Sequence, residues 1–117
     1  MNTEIIKYIQ HTDSMEWKPL VEPDIETPGI FVKLLRFDSI LKRSPTIMLK
    51  FEPGARYPYH NHPGGEELFV LLGSCKLEGV TLNEADYLYT PPGSKHSVTT
   101  ETGCVLLFIV PEEVEIL

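Results

Sequence analysis

The chain has 117 residues, a formal net charge of −7, 42% hydrophobic residues and a mean hydropathy of −0.08, values that suit one globular unit with one core. Its lysines and arginines are scattered, so the acidic excess would repel phosphate backbones and argues against nucleic-acid binding. No apolar run approaches the roughly 18 residues that a membrane-spanning helix needs, so no membrane partner is expected.

The N-terminal "MNTEIIKYIQ" carries an acidic residue early and no basic segment ahead of an apolar stretch. It lacks the pattern of a secretory leader, and a cytoplasmic protein is expected. Within it, residues 4–9 are predicted as a strand. Residues 11–29 carry Pro19, Pro23 and Pro28 and read as a loop draped over the surface. His11, in that loop without a partner at metal-ligand spacing, reads as a surface histidine, and Trp17 and Phe31 as packing residues.

From residue 30 onward, short segments rich in Val, Ile, Leu, Tyr and Phe alternate with turns bearing Gly and Pro. Strands are predicted over residues 30–37, 46–52, 57–62, 67–73, 75–80, 86–90, 96–100 and 104–110. The final "PEEVEIL" reads as a solvated tail or last strand.

About nine short strands and no helix of three turns predict an all-β fold closed into a sandwich or barrel, which hides its sheet edges. No repeat or linker divides the sequence, so one domain is expected over residues 1–117: an arm at 1–29, a barrel core at 30–110 and a tail at 111–117. Cys75 and Cys104 lie 29 positions apart without a CxxC spacing. They read as small buried thiols rather than a disulfide framework or a zinc ribbon.

The stretch "HNHPGGEE", residues 60–67, concentrates chemistry. Side chains of a strand alternate between faces, so His60 and His62 project together. The Pro63-Gly64-Gly65 turn can reverse the chain tightly, because glycine accepts positive φ. Glu66 is the first carboxylate to emerge from that turn, with Glu67 on the opposite face as a solvated or structural acid. A third imidazole, His96, follows "PPGSK" at the start of another predicted strand. Three imidazoles and one carboxylate suit a borderline divalent ion such as Fe, Mn, Ni, Cu or Zn. Tyr57 with Tyr59, and Tyr87 with Tyr89, are each expected to share a strand face as packing residues. Arg56 is expected to be solvated.

From Gly54 to Gly73 the chain reads "GARYPYHNHPGGEELFVLLG", which resembles the first cupin motif: Gly, five residues, HxH, three residues, Glu, six residues, Gly. "PPGSKH", residues 91–96, resembles the core of the second cupin motif. Two positions depart from it. Ala85 stands where a glycine usually precedes the motif, and Thr100 where an asparagine usually follows its histidine. With "PGIFVKLL", "PGGEELFVLLG" and "TGCVLLF", the sequence is similar to ChrR-type cupins, a group that includes the metal-binding domain of an anti-sigma factor and relatives of acetylacetone-cleaving dioxygenases.

That resemblance implies a small RmlC-like β-barrel, a double-stranded β-helix jelly roll. One divalent ion (Fe, Zn, Mn or Ni) would be held by His60, His62, Glu66 and His96, with Glu66 acting as a base if it leaves the ion. It implies a metal-dependent, dioxygenase-like enzyme acting on a small oxygenated molecule such as a β-diketone, which would bind near the metal. The alternatives are a non-catalytic sensor and a cupin with a structural zinc. Because the N-terminal segment has no Cys/His cluster, a complete anti-sigma factor is not expected. A homodimer is expected by the same resemblance and by the frequency of two-fold assemblies.

Overall fold

Among the described residues, 3–117, the computed structural model contains eleven strands in two antiparallel sheets. The first sheet runs, edge to edge, β1 (Lys18–Pro19), β2 (Ile30–Asp38), β3 (Arg43–Phe51), β10 (Cys104–Ile109), β5 (Glu66–Gly73) and β8 (Tyr87–Thr90). The second runs β11 (Glu115–Ile116), β4 (Arg56–Asn61), β9 (Lys95–Thr99), β6 (Cys75–Leu77) and β7 (Val80–Leu82). The all-β expectation holds, and the two sheets form a small single domain. No helix among the described residues is long and apolar enough to cross a membrane.

Alternation along the strands decides which residues enter the core. On β10, Cys104, Leu106 and Phe108 are buried while Val105, Leu107 and Ile109 are not. On β5, Glu66, Leu68 and Val70 point inward in the same way. These rows join Ile30, Leu49 and Phe51 of the first sheet, and Tyr57, Leu77 and Val98 of the second, in one cluster. Each fully buried Leu or Phe contributes about 1.5–3 kcal/mol relative to exposure.

Residues 4–9, expected as a strand, instead lie largely in a 3-10 helix, Thr3–Tyr8. Ile5, Ile6 and Ile9 are exposed, and no sheet edge pairs with this segment. Without a ladder partner its backbone satisfies itself locally. The expected loop at 11–29 contributes β1, which pairs with β2 through Lys18↔Val32, and the tail contributes β11, which pairs with β4 through Ile116↔His60. The segment expected as one strand at 75–80 is a hairpin, with Leu77↔Val80 flanking the turn residues Glu78 (φ 49) and Gly79 (φ 80). Two successive positive φ values match the twist of a two-residue hairpin turn. The Glu78 carboxylate anchors it by accepting hydrogen bonds from the Ser97 amide (2.8 Å) and hydroxyl (3.0 Å).

Two turns fix how the sheets close. At Gly73 the chain leaves the first sheet for the second with φ 74, and a Cβ there would lie 2.3 Å from the Gly103 carbonyl oxygen. Only glycine fits that approach. Ala85, where the motif usually has glycine, sits at φ 72, and its amide donates to the Val70 carbonyl at 2.8 Å. Glycine-like geometry is thus retained with an alanine. At the other departure, the Thr100 hydroxyl donates to the Ser74 carbonyl at 2.8 Å and accepts from the Gly103 amide at 3.0 Å. The threonine therefore ties the two loops that flank it.

Candidate metal centre

β4 and β9 lie side by side, and His60 and His96 are direct partners across them. His62 lies one residue beyond β4, and Glu66 opens β5 in the opposite sheet after the Pro-Gly-Gly turn. Inside this turn the Gly65 amide donates to the His62 carbonyl at 3.1 Å. The four expected residues are all buried: His60 at 3%, His62 at 0%, Glu66 at 4% and His96 at 6% exposure.

The three imidazoles converge, with ring centroids 4.4 Å apart for His60 and His62, 4.3 Å for His62 and His96, and 5.0 Å for His60 and His96. Their candidate ligand nitrogens lie within 4.8 Å of one another. Glu66 completes the cluster: its Oε2 is 3.4 Å from His62 Nε2 and its Oε1 is 3.6 Å from His96 Nε2. The expected alternation of Glu66 and Glu67 holds. Glu67 accepts a hydrogen bond from the exposed Tyr87 hydroxyl at 2.8 Å, away from the cluster.

Backbone carbonyls set the orientation of two rings. His60 Nδ1 donates to the Pro58 carbonyl at 2.7 Å, and His62 Nδ1 donates to the Ser94 carbonyl at 2.8 Å. A carbonyl can only accept, so Nδ1 carries the proton, and in the neutral ring Nε2 presents a lone pair. The His62 amide also donates to the Ser94 carbonyl (3.2 Å), and the Gly93 amide donates to the His62 carbonyl (2.9 Å). The two histidine motifs are thereby locked together through the Pro-Pro-Gly-Ser loop.

This arrangement leaves a set of buried acceptors facing one another. His62 Nε2, His96 Nε2 and Glu66 Oε1 are inaccessible to solvent and have no hydrogen-bond partner. Buried polar atoms in folded proteins are almost always satisfied. Lone pairs meeting a carboxylate are satisfied by a proton or a cation, and three nitrogens with one oxygen match the donors a divalent transition ion prefers. The donor set therefore fits such an ion.

The protonation equilibria carry the same signature. Burial dominates at His60 and pulls its imidazole down to about 4. Burial also disfavours charge on His62, but the Glu66 carboxylate and the Ser94 carbonyl outweigh it and raise the net value. For Glu66, burial raises the carboxyl, and the close approach of the His62 and His96 rings with their charges brings it below the usual range. Positive charge is thus favoured on His62, beside Glu66, and disfavoured on His60.

An apolar cavity of about 100 Å³ opens onto His60 and Glu66. Ile47, Leu49, Phe51, Val98 and Phe108 form much of its wall, and Glu22, Arg43 and Tyr57 supply polar groups. The Tyr57 hydroxyl lies beside the Glu22 carboxylate, and Arg43 donates to the Val110 carbonyl at 2.6 Å. Tyr57 reaches the cavity because the register shifts between Tyr57 and His60. One extra residue in β4 turns both side chains inward and leaves Tyr59 exposed, so the expectation that Tyr57 and Tyr59 share a face is corrected. Tyr87 and Tyr89 do share an exposed face. Arg56 and His11 are exposed, as expected. Trp17 packs beneath Lys33, whose Nζ is 4.4 Å from the ring centroid. Glu22 and Arg43 were missed in the sequence: one lies in the irregular arm, the other precedes the predicted strand at 46–52, and no spacing links either to the histidines.

Comparison with known proteins agrees with this architecture. A cupin-like protein from Thermotoga maritima superposes with a TM-score of 0.72 at 28% identity, covering 90% of this chain and 88% of that one. An acetylacetone dioxygenase from Acinetobacter johnsonii shares the fold at a TM-score of 0.66 and 18% identity, covering 92% and 70% respectively. The DNA damage-repair/toleration protein DRT102 of Arabidopsis thaliana is 35% identical over 66 residues, which cover 50% of this chain and 21% of that relative's length. The model of the ChrR Cupin-like domain matches residues 7–113, and the chain belongs to that family.

Proposed function

We propose that the chain is a metal-dependent, dioxygenase-like enzyme acting on a small, largely apolar oxygenated molecule such as a β-diketone. His60, His62, Glu66 and His96 would hold one divalent ion. The observation that carries this reading is the cavity, whose mostly apolar wall leads to His60 and Glu66. A purely structural ion would need no such approach.

When bound, the ion supplies Lewis-acid polarisation of substrate oxygens or an oxygen-activating centre. The protein supplies the rest. The Pro58 and Ser94 carbonyls hold the Nε2 atoms of His60 and His62 toward the cluster. Leu49, Phe51, Val98 and Phe108 exclude water and accept alkyl groups. Tyr57, Glu22 and Arg43 offer hydrogen bonds to a polar end of the ligand. Glu66 is placed either as a fourth ligand or as a base. The exposed outer face of the first sheet, with Phe69, Leu72, Tyr87 and Ile109, supports assembly as a homodimer.

The test is oxygen consumption by protein loaded separately with iron, manganese, nickel or zinc and offered a panel of β-diketones. Uptake that depends on metal and diketone is expected. Loss of that uptake in His96→Ala would place the reaction at this site. Metal-loaded protein that neither binds nor consumes any member of the panel would overturn the substrate assignment.

A further inference from the structure

A second pair of reactive side chains lies away from the histidine cluster. Cys75 begins β6 in one sheet and Cys104 begins β10 in the other, and both are free and buried, at 2% and 5% exposure. Twenty-nine positions apart in sequence, their thiols lie close enough to perturb each other across the sandwich. The backbone holds them there. Cys104 pairs directly with Gly73, two residues before Cys75, and the Thr100 hydroxyl ties the Ser74 carbonyl to the Gly103 amide. Each cysteine is thus preceded by a residue fixed to the same threonine.

The pair is separate from the metal centre. Cys75 and Thr100 flank the end of β9 at Thr99, whereas His96 stands near its start. Three residue steps at about 3.3 Å each separate Thr99 from His96. Surface depressions border both cysteines: one is lined by Gly73, Gly103 and Cys104, the other by Ser74, Cys75 and Thr100. A small oxidant would enter from one of these sides.

We propose that Cys75 and Cys104 form a redox-active dithiol, which hydrogen peroxide converts into an intramolecular disulfide joining the two sheets. Cys104 is the attacking sulfur. Its thiol is held below the usual range chiefly by the neighbouring Cys75 thiol, against the pull of burial, whereas Cys104 and burial push Cys75 up. Cys104 sulfur takes one peroxide oxygen as the O–O bond breaks, giving a sulfenic acid; the other oxygen leaves as water with the thiol proton. Cys75 sulfur then attacks the sulfenyl sulfur, the S–O bond breaks, and a second water leaves with the Cys75 proton. Two electrons pass from the two sulfurs to the peroxide. The new bond closes the segment that carries β7, β8 and β9, and with them His96.

The test treats the whole reduced chain with one equivalent of hydrogen peroxide under native conditions, followed by intact-mass analysis and peptide mapping. The expected product is a monomer lighter by about 2 Da, with one Cys75–Cys104 cross-link and both thiols closed to alkylation after unfolding. Dithiothreitol should restore both. Oxidation should be several-fold faster in the folded chain than in urea, and the oxidised form should melt higher by several degrees or more. Cys75→Ser should stop at a sulfenic acid that a dimedone-type probe captures, and Cys104→Ser should react more slowly. If either variant fails to fold, the mass, mapping and folded-against-urea comparison on the unsubstituted chain still decide. Two alkylatable thiols after peroxide, oxidation no faster folded than unfolded, or disulfides only between chains would overturn the proposal.

Discussion

His60 and His96 are direct cross-strand partners on β4 and β9, and their rings meet edge to face with centroids 5.0 Å apart. The ladder pairs them at one register position although 35 residues separate them in sequence. From there the site needs only His62, on the same face, and Glu66, delivered from the other sheet by the Pro-Gly-Gly turn.

Glu66 is the partner that keeps a proton on His62 in the metal-free protein, against the pull of burial. Glu66→Gln removes that charge, so burial should prevail and the His62 titration, followed by NMR, should move below its value in the unsubstituted protein. Metal affinity should fall at least about 10–100-fold, the range seen when groups supporting a metal site are lost. An unmoved titration would separate Glu66 from His62.

Metal binding should weaken as pH falls, because protons compete for the same lone pairs. The sign and window follow from the individual rings. His62 holds its proton above the ordinary imidazole range, so competition there begins at or above about pH 6.5. His60 stays neutral until about pH 4 and adds no competition before then. Chelator competition across pH 4 to 8 should therefore show affinity already declining through the neutral range. A flat profile down to pH 5 would contradict this assignment.

Ala85 occupies the left-handed region at φ 72, which L-residues with a Cβ resist. Ala85→Gly should relieve that strain, partly offset by the greater freedom of glycine in the unfolded chain. A net gain of about 0.5–1 kcal/mol is expected in urea unfolding, with metal content unchanged. Destabilisation would mean that the methyl group makes a packing contribution larger than the strain.

Ile47 lines the cavity on β3, across from the histidine strands. Ile47→Trp should fill that space at a stability cost of about 1–3 kcal/mol, typical of overpacking. Ligand binding should fall more than about tenfold while one metal per chain is retained. Calorimetry with a β-diketone and metal analysis of the same sample check both halves.

The sequence made the candidate metal cluster legible because its four residues obey local rules: strand alternation for His60 and His62, a glycine turn for Glu66, and a motif for His96. It also showed β10 as a strand, over residues 104–110, though not which of its residues face the core. What it hid depends on partners distant in the chain. Apolar Ile5 and Ile6 suggest a strand until no sheet edge is found to accept them. β1 and β11 are two residues each, too short for any periodicity, and exist because β2 and β4 offer edges. The Glu78-Gly79 turn lacks the Asn or Asp that marks such hairpins, and Ser97 supplies the anchor from another strand. The bulge before His60 changes which tyrosine enters the cavity, and alternation alone assigns the wrong face to Tyr57.

The most direct test is the metal content of protein purified without a polyhistidine tag and then given one equivalent of iron, manganese, nickel or zinc, beside His62→Ala and His96→Ala variants shown to be folded. One tightly held ion per unsubstituted chain, and far less than one in both variants, is the expected result. An unsubstituted chain that retains no ion after desalting, or variants that keep a full equivalent, would contradict the assignment of His60, His62, Glu66 and His96 as one metal centre.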